Sequence, residues 1–355
     1  MIQKLSIGYV PYSKDLSHPG DRRRIGILKD SLVHKLEIDS PLDGDLLVLS
    51  GAANLNYWIR KTNKPIVLDI VDGYLGERPG FVKDALRNLV RSINGSSNFS
   101  AITYSRALKK ACFNASAVIV ASSEQAEYVR PLNKNVFVVL DDHSELDQAR
   151  SLRDKNSMKV TQEKYIFWEG FGYTLRHFKI LHSELDNFMY QNKYKMVILT
   201  NTSFARWGGY IGKVETSKLF KKWFPLSYAN IEIVPWTIEN VIHKASQCDF
   251  AIIPVDTRDK FANLKPENKL LSMWHLGLPT LFSDTRAYKR IANAIGISSM
   301  CIEQEGWITA FRNLDLTRVR ESTPKMIHYI ETTHTKDILV EKWQQVIEAV
   351  LAKDA

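Results

Sequence analysis

Cysteine is scarce, with three in 355 residues, at Cys112, Cys248 and Cys301. Their odd number, wide spacing and apolar settings argue against a disulfide framework or a thiolate zinc site and for a reducing compartment. No apolar run reaches the roughly 18 residues that a membrane-spanning helix needs. The opening MIQKLSIGYVPYS has no long apolar stretch of the kind a signal peptide carries, and reads as a first strand. No Gly-x-x-x-x-Gly-Lys-Ser/Thr loop occurs, which argues against a P-loop ATPase. GFGYTL (170–175) lacks the third glycine and the later acidic residue of a dinucleotide fingerprint. No His/Cys/Glu cluster has metal-ligand spacing, so no metal site is expected.

What is present is an ordinary globular composition, 45% hydrophobic and 25% charged, with a net charge of +9. At roughly 100–200 residues per domain, the length suits two domains. The charge suits an anionic partner: nucleic acid, a phospholipid surface or a phosphate-bearing substrate. Short β-branched runs alternate with helical patterns. KLSIGYV (4–10), DLLVLSG (45–51), PIVLDIVDG (65–73), AVIVASS (117–123) and VFVVLDD (136–142) read as strands, and 23–36, 81–93 and 96–113 as helices. The polar stretch 144–164 reads as a connection that is part helical. Strands then resume at YIFWEG (165–170), KMVILTNTS (195–203), IEIVPW (231–236), DFAIIPV (249–255), PTLFSD (279–284) and SSMCIEQ (298–304). Helical patterns lie at 177–191, 238–247 and 287–295, and a long amphipathic helix spans 336–354.

Alternation of this kind builds parallel sheets covered on both faces. The expected fold is α/β, with two doubly wound, Rossmann-like domains. The expected boundaries are an N-terminal domain at 1–145, a linker at 146–164, a C-terminal domain at 165–335, and a final helix at 336–355 that packs back on the first domain. Open α/β sheets bind ligands beyond the carboxyl ends of their strands. Two such domains facing a central cleft each hold one substrate, an arrangement suited to group transfer.

Three segments, in order, carry a resemblance to a family. They are ASAVIVASSEQAEYVRPLNKNVFVVLDDHSE (115–145), YIFWEGFGYTLRHFKIL (165–181) and QCDFAIIPVDTRDKFANLKPENKLLSMWHLGLPTLFSD (247–284). Together they resemble the GT-B glycosyltransferases, in particular the group 1-like bacterial enzymes that build surface polysaccharides. The resemblance implies a nucleotide-sugar donor in the second domain, no cofactor beyond that substrate, and no required metal. Many retaining members carry two glutamates around the helix before Gly277-Leu278-Pro279. Leu264 and Ser272 stand at those positions here.

Donor phosphates need positive charge and free backbone N–H groups at a helix start. Asn268 and Lys269 open the helix after Pro266, where a lysine is electrostatically unfavourable unless it meets an anion. Arg176 stands where the family often has a lysine, and Gly170 and Gly172 allow close backbone approach. The alternative is a plain turn and cap with a solvated lysine. Trp236, in the strand-end loop that meets the base in the resembling family, either stacks on the nucleoside or packs between helix and sheet. Thr200, Asn201 and Glu267 are further nucleoside candidates, although loop-forming polar residues look the same.

For acceptor and base, the first loop offers His18, Asp21, Arg22, Arg23 and Arg24. Asp21 is either a base or a helix cap, and the arginines either hold an anionic acceptor or are surface charge. Asp72 stands where the family often has a functional His or Asp, or else forms an Asp-Gly turn. Asp69, flanked by apolar residues, must have a partner, because burying a lone carboxylate is costly. His143 either reaches the acceptor or caps the hinge. KDALRNLVRSI and YSRALKKACF suggest a face for anionic lipid, or a solvated one.

The leading expectation is a glycosyltransferase acting on a growing, lipid-linked bacterial surface glycan such as O-antigen, capsule or lipopolysaccharide. It would be cytoplasmic and peripheral at the inner face of the membrane. The alternatives are an inactive nucleotide- or sugar-binding protein, or an epimerase, on the same fold. No nucleic-acid partner is expected, because the basic residues are spread over both halves without an aromatic platform.

Overall fold

A computed structural model describes residues 5–31, 35–75, 104–157, 163–205 and 212–352. The helix expected at 81–93, and the first part of that at 96–113, lie outside the described residues. The chain divides into two compact units. The first holds Met1–Asp142, Leu264–Asn268 and His334–Ala355, and the second His143–Asn263 and Lys269–Thr333.

The first unit is built on a six-stranded sheet of β1 (Ser6–Val10), β2 (Lys35–Glu37), β3 (Leu46–Ser50), β4 (Ile66–Ile70), β5 (Ala117–Val120) and β6 (Val136–Val138). The order is β2-β1-β3-β4-β5-β6 and every pairing is parallel. β3 and β4 are buried at every position, as continuous apolar runs in a doubly covered parallel sheet should be. The helices are α1 (Pro19–Arg22), α2 (Gly26–Ser31), α3 (Leu55–Lys61), α4 (Tyr104–Asn114) and α5 (Ser123–Val129). Leu55, Leu108, Ala111, Cys112 and Val129 bring α3, α4 and α5 onto one core with β3, β4 and β5.

The stretch 23–36, which has the spacing of one helix, is broken. α1 and α2 are short, and Lys35–Glu37 pairs with Ser6–Gly8 as an edge strand. The backbone hydrogen bonds available along β1 outweigh a helical pattern that is only moderately apolar.

The second unit carries β7 (Lys164–Glu169), β8 (Tyr194–Thr200), β11 (Ile231–Pro235), β12 (Phe250–Ile253), β13 (Thr280–Ser283) and β14 (Cys301–Ile302), in the order β11-β8-β7-β12-β13-β14, again all parallel. β9 (Ser203–Ala205) and β10 (Lys213–Glu215) form a separate antiparallel hairpin. Its helices include α6 (Gln148–Ser157), α7 (His182–Asn192), α8 (Thr216–Trp223), α9 (Ile238–Ala245) and α10 (Asn268–His275). α11 (Lys336–Leu351) belongs to the first unit.

Two expected elements are shorter than their patterns. The helical run 177–191 starts as a 3-10 stretch at Gly172–Ile180 before α7, and the strand 298–304 is only Cys301–Ile302. The connection 144–164 contains α6, which is packed into the second unit. Arg153 donates to the carbonyls of Ala245 (3.3 Å), Cys248 and Asp249 (3.2 Å). It thereby takes up acceptors left open where α9 ends.

α10 ends in a Schellman turn. Gly277 sits at φ +70°, its N–H donates to Trp274 O, and Leu278 N–H donates to Met273 O, both at 2.9 Å. That turn needs a residue without a Cβ penalty at positive φ. A Cβ there would also press on the Arg150 side chain at 3.1 Å.

Candidate functional site

In both sheets the strand order reverses direction once. That is where a crevice opens beyond the carboxyl ends of the strands. In the first unit the reversal lies between β1 and β3, and in the second between β7 and β12.

In the second unit, β7 delivers Glu169 and Gly170 to this point. Lys269, in the first turn of α10, holds its ammonium over the Trp168 ring, 4.3 Å from the centroid. A cation over an indole face is attracted by the ring quadrupole, which fixes the Nζ. Gly170 lies at φ +154°, and a Cβ there would stand 2.8 Å from Lys269 Nζ and 3.0 Å from Thr174 Oγ1. Glycine therefore keeps the space beside this ammonium open. Gly172 serves packing: a Cβ would overlap the Phe204 ring of β9, and its N–H donates to Asn201 Oδ1 at 3.1 Å.

Trp236 donates from Nε1 to Glu169 Oε2 at 2.9 Å, so the indole is pinned at the end of β7. Thr200 is fully buried, and its hydroxyl has no hydrogen-bond partner. Arg176 pairs with Asp259 at 2.5 Å and is half-exposed. Its charge is compensated within the fold. The structure thus brings Gly170, Lys269, Glu169, Trp236 and Asn201 to one end of one sheet.

His143 also lies in this unit and is fully buried. Its Nδ1 is 3.1 Å from Ser272 Oγ, and its ring is 5.9 Å from that of His275, which meets Asp147 at 2.7 Å. An acceptor at the surface does not reach a ring in that position, which packs against α10 instead.

In the first unit, Asp21 is the centre of the loop after β1. It is fully buried and accepts from Tyr9 OH (2.5 Å), Tyr12 N (2.8 Å), Ser13 N (2.8 Å) and Ser13 Oγ (3.2 Å). Burial, and then the Asp21 carboxylate, push the Tyr9 hydroxyl far above its ordinary pKa, so it stays a donor. Asp21 neither caps α1 nor faces solvent. The N-cap is His18, whose Nδ1 accepts from Gly20 N at 3.0 Å and whose ring stacks on Tyr12 at 4.7 Å. An Nδ1 that accepts leaves the neutral ring's proton on Nε2, so this tautomer donates outward.

Arg22 donates to Ser17 O at 3.2 Å, and Arg23 O accepts from Asp142 N at 2.7 Å. Asp72 is partly exposed and faces Lys265 at 3.5 Å. In the same unit, Asn268 Oδ1 accepts from Asp141 N at 3.3 Å, Leu264 O accepts from Gln125 Nε2 at 3.3 Å, and Glu267 is buried.

Asp69 has the partner its burial requires. Arg24, fully buried, donates Nε and Nη2 to it at 2.7 and 2.5 Å, and Nη1 to Asp141 Oδ1 (3.0 Å) and Val139 O (2.8 Å). Burial pulls the guanidinium pKa down, but the two carboxylates outweigh it and the net shift is upward. Burial raises the Asp141 carboxyl, with Arg24 opposing.

No family profile and no curated protein matches this sequence. Solved structures do match. WaaG, described as a glycosyltransferase involved in lipopolysaccharide biosynthesis, superposes with a TM-score of 0.59 at 9% identity, over 96% of this chain and 98% of that one. The chain has the GT-B fold. TarM matches with a TM-score of 0.56 at 11% identity over 85% of this chain, which spans only 54% of TarM. An E. coli structure described as trehalose-6-phosphate bound with UDP-2-fluoro glucose matches with a TM-score of 0.52 at 8% identity, over 86% of this chain and 73% of that one. At these identities the likeness carries the GT-B fold and leaves the chemistry to the residues.

Sequence reasoning missed Glu169 and Trp168, and it read Arg24 as a ligand for an anionic acceptor or phosphate, whereas the guanidinium is buried on Asp69 and Asp141. Trp168 and Glu169 end a strand directly before the Gly170 loop, a position that is itself a signal.

Proposed function

We propose that this protein is a glycosyltransferase that takes a nucleotide-sugar donor at the β7 end of the second unit and transfers the sugar to a hydroxyl acceptor. The observation that carries the reading is the Lys269 ammonium, held over Trp168 beside the open face of Gly170 at the switch point of a GT-B sheet. A departing nucleoside diphosphate develops negative charge, and a preorganised ammonium beside a helix N-terminus stabilises it. Here phosphate charge is met by Lys269 rather than by a resident metal. Trp236, anchored by Glu169, offers its ring to the base. The solved relative with a UDP-sugar analogue supports a nucleotide-sugar donor. WaaG supports a growing, lipid-linked bacterial surface glycan such as lipopolysaccharide as acceptor.

Of the acid–base candidates in the first unit, Asp72 fits a general base best. Asp21 spends its carboxylate on four donors, and His18 presents a donor at Nε2. Asp72 is partly exposed, with Lys265 3.5 Å away, and its carboxylate is not held by the set of buried donors that occupies Asp21. With an inverting outcome, Asp72 would take the acceptor proton as the sugar–oxygen bond forms and the sugar–phosphate bond breaks. Arg22 and Arg23 would hold an anionic acceptor.

A second reading, nucleotide or sugar binding without transfer, is favoured by Ser272, buried against His143 where many members carry a carboxylate. Melting the protein with UDP, GDP, ADP, dTDP and CMP, and then assaying nucleotide release from the matching sugar nucleotides, separates the readings. Stabilisation with turnover supports transfer, stabilisation without turnover supports binding alone, and no response to any nucleotide sinks both.

A further inference from the structure

β7 and β12 run side by side where the second sheet reverses direction, so the chain segments that follow them share one rim. After β7 the chain reads Phe171-Gly172-Tyr173 and continues as the 3-10 stretch Gly172–Ile180. Side chains repeat every three residues along such a helix. Gly172, Leu175 and Phe178 are accordingly buried, while Tyr173, Arg176 and Lys179 are exposed. Phe171 and Tyr173 stack, with ring centroids 5.7 Å apart and planes 9° from parallel, and they are 49% and 52% exposed.

The ring pair is braced from behind. Phe204 occupies the space of the missing Gly172 Cβ, and Thr174 donates to Phe171 O from its N–H at 2.9 Å and its Oγ1 at 2.7 Å. The chain after β12 is tied to the same stretch, since Asp256 N–H donates to His177 Nδ1 at 3.2 Å and Asp259 pairs with Arg176. Exposed Arg258 makes a bidentate pair with Asp256, at 2.9 and 3.0 Å. Two half-exposed rings and two Arg–Asp pairs therefore stand along one rim, directly after Gly170. Apolar side chains scattered singly on a surface need no explanation, but a stacked pair on a braced loop does. Exposed ion pairs add little stability, so stability does not account for the arrangement.

We infer that Phe171 and Tyr173 form a platform for a pyranose unit of the acceptor glycan. A pyranose has a face of C–H hydrogens and a rim of hydroxyls. The C–H face packs on the negative face of an aromatic ring. The hydroxyls find acceptors in the Asp256 and Asp259 carboxylates and donors in the Arg176 and Arg258 guanidinium groups, which are planar and fixed by their mutual pairing. Exposure selects the acceptor over the donor sugar. A reacting sugar needs a site closed to water, whereas rings half in solvent suit a chain that runs on past the reaction centre. Glycan binding here needs no nucleotide and stands apart from the transferase reading. Only its role as an acceptor subsite rests on that reading.

The test places the full chain, without nucleotide, on an array of bacterial oligosaccharides and then titrates the strongest binder. Phe171→Ser and Tyr173→Ser should each weaken binding by about three- to tenfold, while Tyr173→Phe, which keeps the ring, should change it by less than about twofold. Tyr190→Ser on α7, which removes an equally exposed ring (60%) from elsewhere in the unit, is the control and should bind like the parent. All of these side chains are exposed, so the variants should keep the parent circular dichroism spectrum. Affinity for UDP and GDP should be the same in parent and ring variants. In a transfer assay the ring variants should raise the acceptor KM and leave the donor KM unchanged. The inference is overturned if the parent binds no oligosaccharide, if the ring variants bind like the parent, or if Tyr190→Ser loses as much. It is also overturned if the ring variants lose affinity for UDP or GDP, which makes the pair a base platform, or lose it only for the intact sugar nucleotide, which makes it a donor-sugar site. Glycan binding that depends on the two rings, in a chain that no nucleotide stabilises, would uphold the platform and remove the transferase reading.

Discussion

Removing Asp69 is expected to destabilise the first unit by about 3–5 kcal/mol, the cost of breaking a buried ion pair from one side. Arg24 has no exposure and Asp69 has 1%, so solvent neither screens the pair nor replaces it. In Asp69→Ala the guanidinium loses two charge-assisted bonds, at 2.7 and 2.5 Å, and keeps only Asp141 and the Val139 carbonyl. β4, the chain after β6 and α11 converge on this cation, since the Trp343 ring also lies 5.9 Å from the guanidinium carbon. Urea unfolding followed by tryptophan fluorescence should show a lower midpoint for Asp69→Ala. Arg24→Met combined with Asp69→Leu should cost clearly less than the sum of the single changes, because no unpaired charge faces position 69. A midpoint for Asp69→Ala within about 0.5 kcal/mol of the parent, or strict additivity in the double variant, would refute the reasoning.

Other outcomes follow from the same contacts. Gly172→Ala should cost about 1–3 kcal/mol by overpacking against Phe204, and most of that should return in Gly172→Ala/Phe204→Ala, read by thermal melts. Burial pushes the Cys112 thiol up to about 12, and likewise Cys301, with Asp284 adding to the latter. A thiol whose folded pKa is raised lends stability below its unfolded pKa of about 9 and loses it as pH climbs towards 12. Alkylation of the native protein at pH 8 should therefore be slow at both thiols and fast in denaturant, as mass spectrometry would show. Asp72→Asn should leave the melting temperature near that of the parent and lower turnover by about 10²–10⁴-fold. Unchanged turnover would remove Asp72 as the base.

Much of the fold was legible because parallel strands leave continuous apolar runs with polar residues at their carboxyl ends. DLLVLSG and PIVLDIVDG became β3 and β4, buried throughout. Their order, with the Gly-x-Pro helix exit, carried the GT-B pattern, and Gly277 does occupy the left-handed position that ends α10. The edge strand β2 was hidden because its three residues have no pattern of their own and depend on β1 for hydrogen bonds. The site was less legible because its charges are partnered across long sequence separations. Asp69 announced that it needed a partner, but nothing local pointed to Arg24, 45 residues earlier. Arg176 looked like a free cation until Asp259, 83 residues on, was found against it. Gly172 looked like room for a phosphate, and the fold uses its missing Cβ to seat Phe204.

The central claim is that Lys269 receives the donor phosphates. Calorimetric titration of the most stabilising nucleoside diphosphate into the parent and into Lys269→Ala tests it directly. Loss of one charge-assisted contact should weaken binding by about 10–100-fold, while Arg176→Ala, whose charge Asp259 already engages, should change it far less. Equal affinity for the parent and Lys269→Ala, with both folded, would contradict the account.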